Sequence, residues 1–233
     1  MAFIFPPEAH VAIPVANTND AVAVRRVYCV GRNYAAHARE MGFDPDRDPP
    51  FFFCKPDNAV VPVAYGETLA LAYPAQTQNY HYEAELVAVI GKAGSDISLE
   101  DALQHVFGYA VGLDMTRRDL QMKMREMGRP WELGKAFDRS APCGPIHRAS
   151  EVGHFEKGGL WLSVDGTVKQ KSDVSHLIWS VAETVSYLSQ YFHLEPGDLI
   201  YTGTPEGVGP VVAGESIQVG VEGLGELTVN ITP

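Results

Sequence analysis

HYEAELVAVI, residues 81–90, has the alternating pattern of a β-strand. Because successive side chains point to opposite faces of a strand, Glu83, Glu85 and Val87 are expected on the same face. The two carboxylates would then lie roughly 6–7 Å apart at their Cβ atoms. Like charges at this distance repel each other, and a divalent cation between them removes the repulsion. The stretch therefore predicts a strand whose acidic face is either exposed to water or built around a metal ion.

A third acid strengthens the metal hypothesis. The segment GYAVGLD, residues 108–114, is almost entirely apolar and ends in Asp114. Burial of an unpaired charge at the end of such a strand is costly. Asp114 is therefore predicted to join Glu83 and Glu85 around Mg²⁺ or Mn²⁺, or Ca²⁺, since all three ions bind oxygen ligands. The alternative is that Asp114 only begins the turn into the next helix.

A histidine and a glutamate stand three residues apart in GRNYAAHARE, residues 31–40. This segment follows a strand-like run at residues 27–30 and has the pattern of a glycine turn and a short helix, on which His37 and Glu40 face each other. A carboxylate beside an imidazole fixes its tautomer and raises its basicity, as a general base for water requires. Such pairs are also common on protein surfaces.

Two further segments carry candidate binding groups. Lys135 lies among small and apolar residues in LGKAFD, residues 133–138. The segment YTGTPEGVGP, residues 201–210, is rich in glycine but contains neither a GK[ST] ending nor GxGxxG, which excludes a phosphate-binding P-loop and a dinucleotide-binding fold. It is predicted to offer N–H and hydroxyl groups to a small carboxylate, unless it is a plain surface turn.

Helices are predicted to be few and short. One follows Thr116, where Asp119 three residues later resembles a capping box, and its apolar face is expected to comprise Leu120, Met124 and Met127.

A second helix is predicted to begin at Ser180, which has Glu183 at the third position of the helix. The dipeptide at residues 165–166, Asp-Gly, predicts a tight hairpin turn. Alternation at residues 217–221 and 227–231 predicts two further antiparallel strands.

Composition limits the class of protein. The 233 residues are 45% hydrophobic and 20% charged, with a net charge of −11, which disfavours nucleic acid and an anionic membrane surface as partners. Residues 1–24 contain no Lys or Arg, and no apolar run reaches the 18 or so residues of a membrane span, so a cytoplasmic protein is predicted. The expected organisation is an irregular arm at residues 1–20 and a single catalytic domain at residues 21–233.

Six ordered motifs carry a resemblance to a known family, and the resemblance covers the chain from about residue 26 to residue 231. They are GRNYAAHAREMG, FFFCKP, YHYEAELVAVIGK, GYAVGLDMTRRDLQ, GRPWELGKAFDRSAPCGP and GDLIYTGTPEGVGP. Together they resemble the fumarylacetoacetate hydrolase family, and most of all its short acylpyruvases, including bacterial members that act on fumarylpyruvate in gentisate breakdown. The resemblance implies a homodimer with an α+β, β-rich fold, in which mixed sheets form the β-roll of the family's C-terminal domain beside a few short helices.

The resemblance also assigns roles to individual residues. It implies that the metal is held by Glu83, Glu85 and Asp114. The catalytic residues would be His37, Glu40 and Lys135. The substrate-facing residues would be Arg118, Gln121, Gly203 and Thr204.

The implied activity is metal-dependent hydrolysis of the carbon–carbon bond of a 2,4-diketo acid, an acylpyruvate such as fumarylpyruvate, to pyruvate and a carboxylic acid. Three carboxylates around a dication leave a net charge of −1, which Lys135 is expected to compensate. The same metal site suits oxaloacetate decarboxylation or dienoate isomerisation and tautomerisation, neither of which needs an attacking water. A third alternative is a noncatalytic module that binds a metal or a carboxylate, for which no pocket near His37 is expected.

Overall fold

β-strands dominate the computed structural model, which describes residues 3–6, 9–40 and 48–233. In chain order the strands are β1 (Ala12–Pro14), β2 (Ala21–Ala23), β3 (Val27–Gly31), β4 (Phe51–Lys55), β5 (Val60–Pro62), β6 (Thr68–Ala72), β7 (Tyr80–Tyr82), β8 (Ala84–Ile90), β9 (Val106–Leu113), β10 (Thr116–Arg117), β11 (Ala141–Cys143), β12 (His147–Arg148), β13 (Gly159–Val164), β14 (Thr167–Asp173), β15 (Leu199–Tyr201), β16 (Gly209–Val211), β17 (Ser216–Val221) and β18 (Gly225–Thr232). The helices are α1 (Ala35–Glu40), α2 (Arg118–Glu126), α3 (Glu132–Lys135), α4 (Ala149–Val152) and α5 (Val181–Ser189).

The strands form sheets of mixed direction. The largest sheet has the order β4-β3-β15-β8-β9-β11-β5, with β12 paired to β9, and a second sheet has the order β14-β13-β17-β18-β6. The pairs β15–β3, β11–β5 and β18–β6 are parallel, whereas β8–β9, β13–β17 and β17–β18 are antiparallel. A small sheet, β10-β7-β16, stands beside them.

Both faces of β8 are buried. Leu86 and Ala88 belong to the main core, which includes Leu162 and Val219 of the second sheet. Val87 and Val89, on the opposite face, pack in a second cluster with residues of β3 and β15. The alternation predicted for this strand is confirmed, but neither face is exposed to water.

The predicted strand at residues 81–90 is interrupted at Glu83. Tyr80–Tyr82 pairs with β10 and β16 in the small sheet, whereas Ala84–Ile90 pairs with β15 and β9 in the large one. The chain therefore changes sheets at Glu83. This break places the Glu83 side chain where two sheets meet, instead of in the middle of one.

The helix predicted after Thr116 exists, but its start differs from the prediction. Thr116 lies in β10, and its hydroxyl donates to the Asp114 carbonyl, so it does not cap α2. Asp119 accepts hydrogen bonds from Thr77 and from the Gln78 amide instead of completing a capping box. The capping box does not form because the Asp119 carboxylate is hydrogen-bonded to the loop at residues 77–78.

The other local predictions are confirmed. Ser180 and Glu183 form a reciprocal capping box at the start of α5. Asp165 and Gly166 have φ values of 47° and 76°, as the tight turn between β13 and β14 requires. Strands β17 and β18 pair antiparallel. Among residues 3–6, 9–40 and 48–233, no helix combines the length and apolar character needed to cross a membrane.

Part of the N-terminal stretch belongs to the core. Strand β1 pairs with β2, and Ile13 and Val15 are buried. Ile13 packs in the same cluster as Val27 and Leu199. The predicted irregular arm at residues 1–20 is therefore wrong for this segment, because its apolar side chains are buried against the large sheet. We propose that the single domain predicted from residue 21 begins before β1.

Candidate active site

Three buried acids converge at one end of β8 and β9. The antiparallel register pairs Glu85 with Gly112, so Asp114 follows β9 opposite Glu83, and the Asp114 amide donates to the Glu83 carbonyl at 2.9 Å. One carboxylate oxygen from each of Glu83, Glu85 and Asp114 lies within 4.8 Å of the others. All three side chains are buried, so the alternative of a water-exposed acidic face is wrong.

Buried cations surround this acid triad, Glu83, Glu85 and Asp114. The Lys135 Nζ donates to Glu83 Oε2 and to Asp114 Oδ2, both at 2.7 Å. Lys55 Nζ lies 2.7 Å from Asp114 Oδ1, and the Arg118 guanidinium donates to Glu83 Oε1. Three positive charges therefore face three carboxylates.

Lys55 was not among the predicted site residues. It ends β4, is buried, and contacts the Met115 carbonyl and the Ser140 hydroxyl as well as Asp114. It also donates to the Lys135 carbonyl, which ties β4 to helix α3. The available signal was a lysine at the end of the apolar run FFFCK, at a position where a charge requires a buried partner.

Glu85 is held by a backbone amide. The Gly203 N–H donates to Glu85 Oε2 at 2.8 Å. Gly203 has a φ of 100°, and a Cβ at this position would lie 2.8 Å from the Asn33 Cβ, so glycine alone fits the turn that aims this N–H. The substrate-binding role of Gly203 stays a prediction, and in this structure its N–H donates to Glu85.

The cations act unequally on the acids. Burial alone would raise the pKa of Glu83, but Lys135 and Arg118 hold it well below its usual range. Burial, together with the nearby Asp114 and Glu83 charges, raises the pKa of Glu85 well above its usual range. Burial opposes the charge of Lys135 as well, yet Asp114 and Glu83 outweigh it and raise the lysine pKa.

The acid triad fits a hard divalent cation. Its donor set consists of carboxylate oxygens, which Mg²⁺ and Mn²⁺ prefer. Asp114 Oδ1 is buried and has no hydrogen bond of good geometry, although Lys55 is near it. Burial and repulsion from Asp114 and Glu83 raise the pKa of Glu85, although the Gly203 amide and Lys135 oppose the shift. A dication would coordinate Asp114 Oδ1 and would offset the repulsion on Glu85.

His37 and Glu40 meet as predicted on helix α1. His37 Nδ1 lies 3.2 Å from Glu40 Oε2, and the His37 side chain is only 8% exposed. The Gly207 amide donates to both oxygens of Glu40, at 3.1 and 3.2 Å. With Nδ1 directed at Glu40, Nε2 is the ring nitrogen left to act as a base.

Helix α2 presents a polar face to the site. Arg118, Gln121 and Met124 are its buried residues, whereas Met127 is exposed, so the predicted apolar face is wrong for that residue. Arg118 also donates to Gln121 Oε1, which directs the amide nitrogen of Gln121 away from the guanidinium. This polar face is buried because it lines a site and has charged partners there.

Thr204 is positioned by a residue of the second sheet. Gln170 on β14 is fully buried, and its Nε2 donates to Thr204 Oγ1 and to the Pro205 carbonyl, both at 2.9 Å. Its Oε1 accepts from the Ala84 amide, between Glu83 and Glu85. Gln170 thus joins the loop of Thr204 to the strand of the acid triad, and nothing in its local sequence indicated this role.

These groups share one pocket of about 150 Å³. Its lining includes eight of the predicted site residues: His37, Glu83, Glu85, Asp114, Arg118, Gln121, Lys135 and Thr204. Glu40 and Gly203 stand behind the lining and hold His37 and Glu85. The lining also includes residues that were not predicted, among them Arg32, Phe53, Met122, Arg125 and Trp131. The pocket therefore combines an acidic, metal-compatible inner end with basic and aromatic groups.

A solved structure matches the whole fold. The chain is 67% identical to fumarylpyruvate hydrolase from Pseudomonas aeruginosa, whose crystal structure is a complex with Mn²⁺ and pyruvate. The match covers 99% of each chain with a TM-score of 0.98. This similarity confirms the predicted fold class, an α+β, β-rich fold with mixed sheets and a few short helices.

Related sequences include enzymes of two activities. The chain is 49% identical over 183 residues to fumarylpyruvate hydrolase of a Ralstonia species, covering 78% of this chain and 93% of that protein. It is 40% identical over 200 residues to the mitochondrial oxaloacetate decarboxylase of Dictyostelium discoideum, covering 86% and 90%. The model of the fumarylacetoacetate hydrolase C-terminal family matches residues 26–232. The chain therefore belongs to the fumarylacetoacetate hydrolase family.

Proposed function

We propose that this protein is a metal-dependent hydrolase that cleaves an acylpyruvate, with fumarylpyruvate as the best-supported substrate, to pyruvate and a carboxylic acid. The observation that carries the proposal is one pocket lined by both the acid triad and His37. The first group suits a Lewis acid and the second suits activation of water. The similarity to two fumarylpyruvate hydrolases supports the choice of substrate.

Glu83, Glu85 and Asp114 would hold Mg²⁺ or Mn²⁺, or Ca²⁺, which accepts the same ligand type. The bound ion supplies Lewis acidity, which polarises the keto acid and stabilises the negative charge that develops on the departing pyruvate. The three cations around the acids already balance the three carboxylates. A dication therefore leaves this end of the pocket with two positive charges, not the −1 expected from the acids and metal alone. Such a charge favours an anionic keto acid.

His37 would remove a proton from the water that adds to the 4-carbonyl. Its Nδ1 is directed at Glu40, which orients the ring and stabilises the imidazolium that forms. The Gly207 amide keeps Glu40 in place. The bond between carbons 3 and 4 then breaks, its electron pair stays on the pyruvate fragment, and a proton returns to carbon 3.

Three groups can stabilise the oxygen that becomes negative when water adds. Lys135 uses two of its three N–H groups on Glu83 and Asp114, which leaves one for a ligand. Gln121 can donate from its amide nitrogen, because its amide oxygen already accepts from Arg118. The Thr204 hydroxyl accepts from Gln170 and so keeps its own proton for donation.

Metal removal gives the direct test of the proposal. The enol form of fumarylpyruvate absorbs in the ultraviolet, and its loss is expected to require both protein and metal. Treatment with EDTA followed by dialysis should reduce the rate to that of a sample without protein, and added Mg²⁺ or Mn²⁺ should restore it. When the ion is absent, Glu83 and Asp114 keep their lysine and arginine partners, and Glu85 keeps the Gly203 amide. Full activity of the chelated protein would contradict the proposal.

Decarboxylation of oxaloacetate is the second candidate, because a relative that is 40% identical carries that name. This reaction also develops negative charge on a pyruvate fragment, but it needs no attacking water. His37, which lines the pocket and is paired with Glu40, therefore favours hydrolysis as the main activity. Rates with fumarylpyruvate, maleylpyruvate, acetylpyruvate and oxaloacetate, compared as kcat/KM, distinguish the two. The noncatalytic alternative expects no pocket near His37, and that expectation is wrong.

Gln170 is expected to act as a positioning residue. A Gln170→Leu variant keeps the side-chain size but leaves the Ala84 amide and the Pro205 carbonyl without their partner. The free energy of unfolding should fall by about 1–3 kcal/mol. For fumarylpyruvate, kcat should fall more than KM rises, because Thr204 would donate to the oxygen that becomes negative only after water adds. Denaturant unfolding and steady-state kinetics measure both effects.

The exposed neighbour Lys171 provides the matched control on β14. Lys171→Gln should leave unfolding and kinetics unchanged. If Gln170→Leu behaved like this control, Gln170 would have no positioning role.

We further propose a cytoplasmic homodimer that acts in gentisate breakdown. The resemblance to short bacterial acylpyruvases supports the assembly and the pathway. The net charge of −11 supports a protein without nucleic acid or membrane partners.

A further inference from the structure

One polar side chain near the acid triad is not used by the proposed mechanism. His81 lies on the central strand of the small sheet, where its backbone pairs with Thr116 of β10 and Pro210 of β16. Its side chain is half-buried. The Arg118 Nε–H donates to His81 Nδ1 at 3.4 Å, and the other ring nitrogen, Nε2, lies 2.8 Å from Asn79 Oδ1. His81 therefore connects a loop to the first residue of helix α2.

The partners of His81 fix its tautomer. A guanidinium N–H can only donate, so Nδ1 presents its lone pair to Arg118. The ring proton is then on Nε2, which donates to Asn79 Oδ1. The loop that carries Asn79 is itself held, because the Asn79 amide donates to Thr77 Oγ1 and the Thr77 hydroxyl donates to Asp119. Each donor in this chain is matched to an acceptor, so the imidazole has one defined orientation.

The Arg118 guanidinium uses all three of its nitrogen atoms. Nε donates to His81, Nη1 to Gln121 Oε1 and Nη2 to Glu83 Oε1. Because the group is planar, acceptors in three directions fix the orientation of its plane. Arg118 is buried, so loss of the His81 acceptor would leave the Nε–H without a partner, and the guanidinium would turn to satisfy it.

The orientation of Arg118 determines which end of the Gln121 amide faces the substrate. Gln121 Oε1 accepts from Arg118, which leaves the amide nitrogen to donate to the oxygen that becomes negative when water adds. If the guanidinium turned away, the amide would be free to reverse. Its oxygen would then repel the charge that the nitrogen stabilises.

We propose that His81 is a positioning residue, which accepts from Arg118 and thereby keeps the Gln121 amide nitrogen directed at the substrate. Among the described residues, the pocket lining includes Arg118 and Gln121 but not His81, so His81 acts through them. The proposal rests on the proposed function and adds a residue to its machinery.

Three variants of His81 separate the role of Nδ1 from that of the rest of the ring. In His81→Leu, kcat for fumarylpyruvate should fall by about 10- to 100-fold, as expected when a buried donor to a charged group loses its partner. KM should change by less than about twofold, because the affected contact forms only in the transition state. His81→Asn places an oxygen near the position of Nδ1 and should stay within about fivefold of wild type. His81→Gln places its amide near the position of Nε2, toward Asn79, and should resemble leucine.

Metal content and melting temperature are measured on the same samples. A merely structural role of His81 would lower the melting temperature without a selective loss of kcat and without rescue by asparagine. His176→Leu, at an exposed position, is the matched control and should leave kcat unchanged.

A double-mutant cycle with Gln121 tests the route of the effect. In a Gln121→Leu background the positioned group is absent, so His81→Leu should lower kcat by less than about threefold. A decrease as large as in the wild-type background would overturn the proposal. So would wild-type kcat in His81→Leu, or an asparagine variant no better than the leucine variant.

The Nε–H signal of Arg118 in a ¹H–¹⁵N spectrum of the Mg²⁺-loaded protein gives a readout that does not need turnover. Assigned by its absence in Arg118→Lys, this signal should exchange slowly with solvent in wild type and in His81→Asn, and rapidly in His81→Leu. If wild type cleaves no acylpyruvate but shows this pattern, the hydrolase proposal fails while His81 still holds Arg118. If the wild-type signal exchanges as rapidly as that of His81→Leu, His81 does not hold Arg118 and the positioning role is overturned.

Discussion

Replacement of Glu85 by glutamine is expected to abolish metal binding while the metal-free fold becomes no less stable. The other two acids of the triad form ion pairs with buried cations, but among the described residues Glu85 is held by the Gly203 amide. A glutamine oxygen can accept that same hydrogen bond. The substitution thus removes a negative charge that the protein accommodates poorly, since burial, Asp114 and Glu83 raise the Glu85 pKa well above its usual range.

The expected loss of activity is large. A metal that stabilises developing negative charge contributes several kcal/mol, so kcat/KM for fumarylpyruvate should fall by about 10³-fold or more. Metal content after dialysis, measured by mass spectrometry, should fall in parallel. The melting temperature of the chelated variant should equal or exceed that of the chelated wild type, because a glutamine carries no charge to be buried. If the variant kept wild-type activity and wild-type metal content after dialysis without a chelator, Glu85 would not be a ligand.

Asp114→Asn provides the contrasting case. It should also lose metal and activity, but here the chelated protein should be less stable, because Lys55 and Lys135 would lose a buried carboxylate partner. Asp138→Asn is the control, since Asp138 is exposed. Equal stability changes in the Glu85 and Asp114 variants would contradict the conclusion that Asp114 is stabilised by buried ion pairs and Glu85 is not.

The sequence was sufficient for the parts of the site that depend on local periodicity. Glu83 and Glu85 could be placed together because side chains repeat every two residues along a strand. His37 and Glu40 could be paired because helical neighbours are three or four residues apart. Asp114 could be predicted as a site residue because a charge at the end of an apolar strand needs a partner.

The missed residues reach the site through tertiary contacts. Lys55 stands 59 positions before Asp114 in the sequence. The two residues meet because β4 and β9 belong to the same sheet, with β3, β15 and β8 between them. Gln170 contacts Ala84 from the second sheet, across 86 positions. Such contacts are determined by how the sheets pack, so no pattern within a single segment reports them.

Helix α2 shows a different reason for error. Hydrophobic periodicity assumes that the buried face of a helix is apolar. In α2 the buried positions Arg118 and Gln121 find polar partners inside the pocket, and Met127, directly after the helix, is exposed. The interrupted strand at Glu83 has a similar origin, because the residue that breaks the regular pattern is itself a member of the acid triad. The local rules therefore failed at the functional site, where polar interactions replace apolar packing.

Replacement of His37 by alanine should slow hydrolysis by about 10²- to 10⁴-fold while the metal stays bound. His37 contacts Glu40 and does not belong to the acid triad. Its replacement therefore removes the base and leaves all three metal ligands in place. Glu40→Gln should cost less, because an amide oxygen still orients the imidazole but no longer stabilises its positive charge. Steady-state kinetics with fumarylpyruvate and metal analysis of the same samples measure the two effects separately.

A second substrate identifies the step that His37 serves. Decarboxylation of oxaloacetate needs no attacking water, so any such activity should survive in His37→Ala far better than hydrolysis does. His176→Ala is the control, because this exposed imidazole bonds only to Ser172 among the residues that the structure describes. If the His37 variant lost both reactions to the same extent, His37 would serve substrate binding or the metal site in general. Selective loss of hydrolysis assigns His37 to the activation of water, since that is the chemical step the two reactions do not share.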